Sequence, residues 1–289
     1  MTRFNSLLAA SVAAIAVLTL SACGGGGGSS SSSPTSGLPS TPPTSKSTTA
    51  GLWKGDIAST ATGQTSSIVA LTGIDGHSVW MTTDGRVFDG SMPVTGDHFV
   101  AQMTNHMDDS GHFPNGTNVG PGSMTIDSHT SDMMGGHFSG NGDSGTFSVT
   151  RSSMWDRPAS LDTAAGTYTR TTSSGYAMTM TISANGQLAA SDTRGCVVSG
   201  VVHVPDAAHN LYSMDATVTS CGSLDGTYHG MGSLLDADAM QDWMSAMHPF
   251  EHGGHHMMGG RNTVPTGQHN LFMFSLANDH SAMMDALAR

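Results

Sequence analysis

Tyr176-Ala177-Met178-Thr179-Met180-Thr181-Ile182 sets Met178, Met180 and Ile182 against Thr179 and Thr181, turns at Asn185-Gly186 and returns through Gln187-Leu188-Ala189. A period of two is the geometry of a strand with one buried face, and Asn-Gly suits a tight hairpin turn. Next along the chain, Cys196 to Val204 and Leu211 to Cys221 form a second hairpin around Pro205-Asp206-Ala207-Ala208-His209-Asn210. A register that pairs Val204 with Ser213 also sets Cys196 opposite Cys221.

The same grammar runs back to Gly51. Ser67-Ile68-Val69-Ala70-Leu71, His77-Ser78-Val79-Trp80-Met81 and Arg86-Val87-Phe88 read as strands, with Asp75-Gly76 and Asp84-Gly85 as the turns between them. Ser123-Met124-Thr125-Ile126, His137-Phe138-Ser139 and Gly145-Thr146-Phe147-Ser148-Val149 continue the series. The expected class is all-β: an antiparallel meander forming a barrel or sandwich. Gly51-Leu52-Trp53-Lys54-Gly55 is matched by Gly166-Thr167-Tyr168-Thr169-Arg170, and Gly136-His137-Phe138-Ser139-Gly140 by Gly226-Thr227-Tyr228-His229-Gly230. Two related halves of about six strands follow, sharing one barrel or sandwich or packing as two small ones. Chance similarity in a Gly-rich chain is the alternative. One short inserted helix is expected where Asp236 and Asp238 precede Met240, Trp243, Met244 and Met247, with Pro249 as its stop. Residues 279–287 fit either a short helix or a closing strand.

Charged residues are 11% of the 289, where about 25% is usual, and the net charge is −12. With Lys46 and Lys54 as its only lysines, such a chain is a poor partner for nucleic acid or anionic lipid.

The N-terminus reads as an export signal: Arg3, an apolar run from Leu7 to Leu20 too short to span a bilayer, then Leu20-Ser21-Ala22-Cys23 and the glycines Gly24 to Gly28. This stretch resembles the lipobox of bacterial lipoproteins; a plain secretory signal is the alternative. The resemblance implies cleavage before Cys23, acylation of Cys23, and a membrane partner reached through the N-terminal lipid. Gly24 in place of Asp implies sorting to the outer membrane, facing the periplasm or the cell surface. Residues 1–22 are then the signal peptide and 23–50 the lipidated Cys with a flexible Gly/Ser/Pro tether reaching roughly 25–30 Å. Residues 51–160 and 161–289 are the two β halves. With Cys23 acylated, Cys196 and Cys221 remain as a pair in an oxidising compartment and read as one disulfide, a metal or redox pair being the alternative. The lipobox, the tether and the Gly-x-aromatic strands together are similar to bacterial β-barrel lipoproteins, including those of the transferrin-binding protein B type.

The chain carries 21 methionines and 15 histidines, and they cluster. His248, His252, His255, His256, Met257 and Met258 form the densest run. Met103, His106, Met107 and His112 lie in one expected loop; His129, Met133, Met134 and His137 lie in the next. Thioether with imidazole favours copper, Met selecting Cu(I) and His serving Cu(I) or Cu(II), with zinc or nickel through His as the next option. Met178, Met180, Met240, Met244 and Met247 are expected in the core, and His77, His203 and His269 as solvated or hydrogen-bonded. Gly142-Asp143-Ser144-Gly145 is similar to the nucleophile segment of trypsin-like proteases, but Thr146 follows it and no matching His segment precedes it. Asp143 therefore reads as a turn residue, and no enzyme is expected. The functional expectation is a lipid-anchored envelope protein that binds copper-type ions for buffering or resistance. A surface adhesion or host-ligand binding lipoprotein, and a structural lipoprotein without metal, are the alternatives.

Overall fold

The computed structural model describes residues 48–107, 111–172, 175–238 and 270–289. The first half is a closed eight-stranded barrel. Its strands are β1 (Gly51–Ser59), β2 (Thr65–Thr72), β3 (His77–Thr82), β4 (Arg86–Ser91), β5 (Phe99–Met107), β6 (Val119–His129), β7 (Met133–Gly140) and β8 (Asp143–Arg151). Consecutive strands pair antiparallel, and β1 closes on β8 from Trp53 opposite Arg151 to Ser59 opposite Gly145. The second half repeats the architecture with β9 (Gly166–Thr171), β10 (Ala177–Ile182), β11 (Gln187–Asp192), β12 (Val197–His203), β13 (Tyr212–Thr219), β14 (Gly226–Leu235), β15 (Leu271–Ala277) and β16 (Ala282–Ala288). Its closure is thinner: β16 meets β9 through the single pair Ala288–Thr169.

Each half thus has eight strands, not six, and is a barrel of its own. β5 and the first half of β7 fall in stretches expected to be Met/His loops, while His137-Phe138-Ser139 of β7 is a strand as its pattern predicts. The open end of the chain, 279–287, resolves to a strand. Asp75-Gly76, Asp84-Gly85 and Asn185-Gly186 do turn hairpins, with Gly76, Gly85 and Gly186 at φ of 87°, 89° and 83°. In mid-strand, Gly230 has a different role: a Cβ there would lie 1.8 Å from the Ser275 carbonyl oxygen, so the close approach of β14 to β15 requires glycine.

The internal repeat is real at the first strand of each barrel. Trp53 and Tyr168 both point inward, fully buried, and each donates to a carbonyl four residues back: Trp53 Nε1 to Thr49 O at 3.0 Å, Tyr168 Oη to Ala164 O at 2.7 Å. The second match joins strands of different rank, since Gly136–Gly140 lies on the seventh strand of its barrel and Gly226–Gly230 on the sixth.

The disulfide forms between Cys196 and Cys221, with Cα atoms 4.6 Å apart. The register beneath it differs by one from the expected one. His203, not Val204, faces Ser213, and Val197 faces Thr219. Continued, that ladder would set Cys196 against Ser220; Ser220 instead turns left-handed at φ 61° and takes up the extra residue.

Three apolar clusters hold the fold. One fills the first barrel around Trp53, Trp80, Phe88 and Phe147, and another fills the second around Tyr168, Tyr212, Tyr228 and Phe272. The third lies between barrels: Leu52, Leu71, Val79 and Val87 on the outside of β1–β4 pack against Met231, Leu235, Leu271 and Met273 on the outside of β14 and β15. Strands there are buried on both faces, which explains why Leu271-Phe272-Met273-Phe274 shows no alternation. Trp155, in the connection between barrels, joins this cluster and stacks on His209 at 4.8 Å. The same connection holds α1 (Leu161–Ala164), capped by the Ser160 side chain. Arg157 grips Asp236 with two bonds of 2.7 and 2.5 Å, so Asp236 anchors the end of β14. The helix expected over Met240 to Met247 lies outside the described residues.

Candidate metal-binding residues and the cavity of the second barrel

Strand alternation disperses the first expected metal cluster. On β5, Ala101, Met103 and Asn105 face the barrel interior, and Met103 is packed there among core residues. His106 faces outward, yet is only 1% exposed, opposite Val87 of the cluster between the barrels. Neither of its ring nitrogens has a hydrogen-bond partner among the described residues. Burial pushes its pKa down, while the charges of Asp89 and Asp279 oppose that. Met107 is half-buried at the strand end, and His112 engages the Asn118 side chain at the surface.

The second cluster is split in the same way. His129 Nδ1 bonds the Gly96 carbonyl at 2.8 Å, and its ring sits edge-on to Trp53. Met134 is in the barrel core, Met133 is 54% exposed, and His137 pairs with Asp127 at 2.9 Å on the outside. Strands rather than loops hold Met103, His106, Met107, His129, Met133, Met134 and His137, and neither group brings its imidazoles and thioethers to one point. Among the described residues, no three of His, Cys, Asp or Glu are arranged to hold a metal ion.

Other histidines and Asp143 have structural partners. His77 Nε2 meets Asp89 at 2.7 Å, and that bond raises the His77 pKa. His203 and His229 flank Asp215 on the outer face of β12–β14. Asp143 accepts from Ser59 Oγ at 2.9 Å and pairs with Arg86 at 3.2 Å, holding the β7–β8 turn. His269, Cys23 and the run from His248 through His252, His255, His256 and Met257 to Met258 lie outside the described residues.

A cavity of about 60 Å³ occupies the disulfide end of the second barrel. Met178 and Met180 of β10, Met214 of β13 and Met283 of β16 line it, together with Leu188, Val198 and the disulfide. Its polar rim is Tyr176, Asp192 and Asp285. Arg170 reaches in from β9 to pair with Asp285, both side chains being 8% exposed. The Tyr176 hydroxyl is pushed far above the ordinary phenol range by burial first, then by Asp285 and Asp192. Arg194 lies over the Tyr176 ring at 4.9 Å.

No protein-family model, curated protein or solved structure matches this chain. The site must therefore be read from its own chemistry.

Sequence reasoning placed Met178 and Met180 in the core; Met180 is fully buried there and Met178 packs half-buried against it. It missed that Met214 and Met283 join them. These side chains come from three strands separated by up to about a hundred residues, and only barrel closure makes them neighbours. The alternation of β10 was the available signal: two thioethers two residues apart share one face.

Proposed function

We propose that this chain is a lipid-anchored protein of the bacterial outer membrane that binds copper-type ions through the run His248, His252, His255, His256, Met257 and Met258. The observation that carries the reading is where this run enters and leaves the fold. Leu235 and Leu271 are cross-strand partners, so residues 236–270 depart from and return to one point on the barrel rim. Binding residues are commonly carried on connections between elements of a rigid scaffold. Cys196 and Cys221 are joined to each other, leaving His and Met as the soft donors, which favours copper over structural zinc. Acylation of Cys23 and the tether 24–50 would carry the barrels clear of the lipid headgroups.

The test is titration of the mature protein in detergent with Cu(I) and with Cu(II), alongside a His252→Ala/His255→Ala/His256→Ala variant. The expected result is loss of the tightest Cu(II) equivalent in the variant, and a wild-type affinity that fades below about pH 6 as imidazoles protonate. Equal affinity in the two proteins would remove the reading.

A further inference from the structure

We propose that the cavity at the disulfide end of the second barrel is a separate site for a soft monovalent cation, Cu(I) or Ag(I), held by the thioethers of Met178, Met180, Met214 and Met283. This site does not depend on the run at 248–258 and would stand if that run bound nothing.

Size decides first between possible occupants. Cavities that take up benzene or xenon measure about 150 Å³. At about 60 Å³ this one is too small for an aromatic ring or an acyl chain, and suits a single ion or a water or two. Water is the poorer fit, because a buried water needs two to four polar partners. The walls here are mostly thioether, aliphatic and aromatic, and the polar groups Tyr176, Ser191, Asp192 and Asp285 are the minority of the lining. Of the two carboxylates in the lining, Asp285 is engaged by Arg170 and by the Ala286 amide at 2.7 Å, and Asp192 accepts from the Arg194 and Cys196 amides.

Donor chemistry decides next. Calcium and magnesium demand several oxygen ligands, and zinc demands imidazole, thiolate or carboxylate. Neutral thioethers satisfy none of these but match Cu(I) and its heavier congener. Methionine has three rotatable side-chain bonds, so each of the four lining side chains can place its sulfur at several points of the cavity. The strands bring them from different sides. Met178 and Met180 share one face of β10, Met283 comes from β16, two strands away through β9, and Met214 comes from β13 on the far side.

Access and charge agree. Met178 and Met283 are half-buried, so two of the donors reach the open end of the barrel. Asp192 in the lining and the net charge of −12 favour the approach of a cation, against the opposing charge of Arg194 over the Tyr176 ring. Thioethers do not titrate, so this site should keep its ion at a pH where imidazoles have let theirs go.

Ag(I) is the probe, because it reproduces the coordination of Cu(I) without redox chemistry. In the detergent-solubilised mature protein labelled with 13C-methyl methionine, one equivalent of Ag(I) at pH 5 should shift the Met178, Met180, Met214 and Met283 methyl resonances together. A Met178→Leu/Met214→Leu variant, which conserves volume, should bind that equivalent at least ten-fold more weakly. The His252→Ala/His255→Ala/His256→Ala variant should bind it as the wild type does. Unmoved methyl signals in the wild type, which needs no variant to fold, would overturn the proposal. So would an unchanged equivalent in the Leu variant, or its loss in the His variant.

Discussion

Arg170 and Asp285 form a buried ion pair across the one seam of the second barrel that the backbone hardly closes. Arg170 lies on the first strand and Asp285 on the last, beside the lone Thr169–Ala288 pair. The side chains thus do part of what a full ladder does in the first barrel. Removing one partner leaves a buried charge uncompensated, which typically costs about 3–5 kcal/mol. Asp285→Asn and Arg170→Met should each destabilise the protein by roughly that amount in urea unfolding. The double variant Arg170→Met/Asp285→Leu should recover most of it, because a well-packed apolar pair spares both desolvation penalties. A double variant as unstable as either single one would show that the pair does more than neutralise itself.

The disulfide lies at the same end. It ties residues 25 apart in sequence, and a loop of that size contributes about 3–4 kcal/mol on the chain-entropy estimate. Cys196→Ser/Cys221→Ser should lose stability on that order. Hydrogen exchange should show the loss first at the ends of β12 and β13, next to the left-handed Ser220. Uniform loss of protection across both barrels would contradict this.

Tyr168→Phe tests the repeated aromatic anchor. The substitution keeps the ring but strands the buried carbonyl of Ala164, which should cost about 1–3 kcal/mol. Tyr228 makes the same bond to Leu224, also four residues back, at 2.8 Å, so Tyr228→Phe should behave alike. Thermal unfolding of the two variants measures both. A neutral outcome would mean that water replaces the lost donor.

His106 and His77 predict opposite limbs of a pH profile. Burial lowers the folded-state pKa of His106 from 6.5, so the unfolded chain gains a proton first as pH falls. Stability on this account begins to drop near pH 6.5, and the loss is complete once pH has fallen through the lower folded value. The bond to Asp89 raises the pKa of His77, so its stabilisation is full below about 6.5 and fades as pH rises through the folded value. His106→Leu should flatten the acid limb, and His77→Gln the neutral one, in urea midpoints measured from pH 5 to 8. An acid limb unchanged by His106→Leu would place its origin elsewhere.

Local pattern was enough for most strands and turns. Met178-Thr179-Met180-Thr181-Ile182 and the Asp-Gly and Asn-Gly pairs announce themselves because pleat and positive φ are properties of neighbours in sequence. The same reasoning failed at β5 and at the first half of β7, ahead of His137-Phe138-Ser139. There His and Met broke the expected composition of a strand, and a cluster of ligand types was read as a loop. Their alternation was present all along: Ala101, Met103 and Asn105 on one face, Met134 and Phe138 on another.

By itself the sequence determined that the chain is all-β, where its hairpins turn, and that Trp53 and Tyr168 begin equivalent units. The resemblance of Leu20-Ser21-Ala22-Cys23 to a lipobox and the grouping of Met and His at 248–258 are likewise read from the sequence. Only the tertiary structure decided that there are two barrels rather than one sandwich, because closure pairs Trp53 with Arg151 and Thr169 with Ala288 over distances no local pattern spans. It also decided which methionines meet. The pleat sends alternate side chains of a strand to opposite faces, so proximity in sequence separated Met103 from His106. Curvature of the sheet then carried Met178, Met214 and Met283, far apart in the chain, to one cavity.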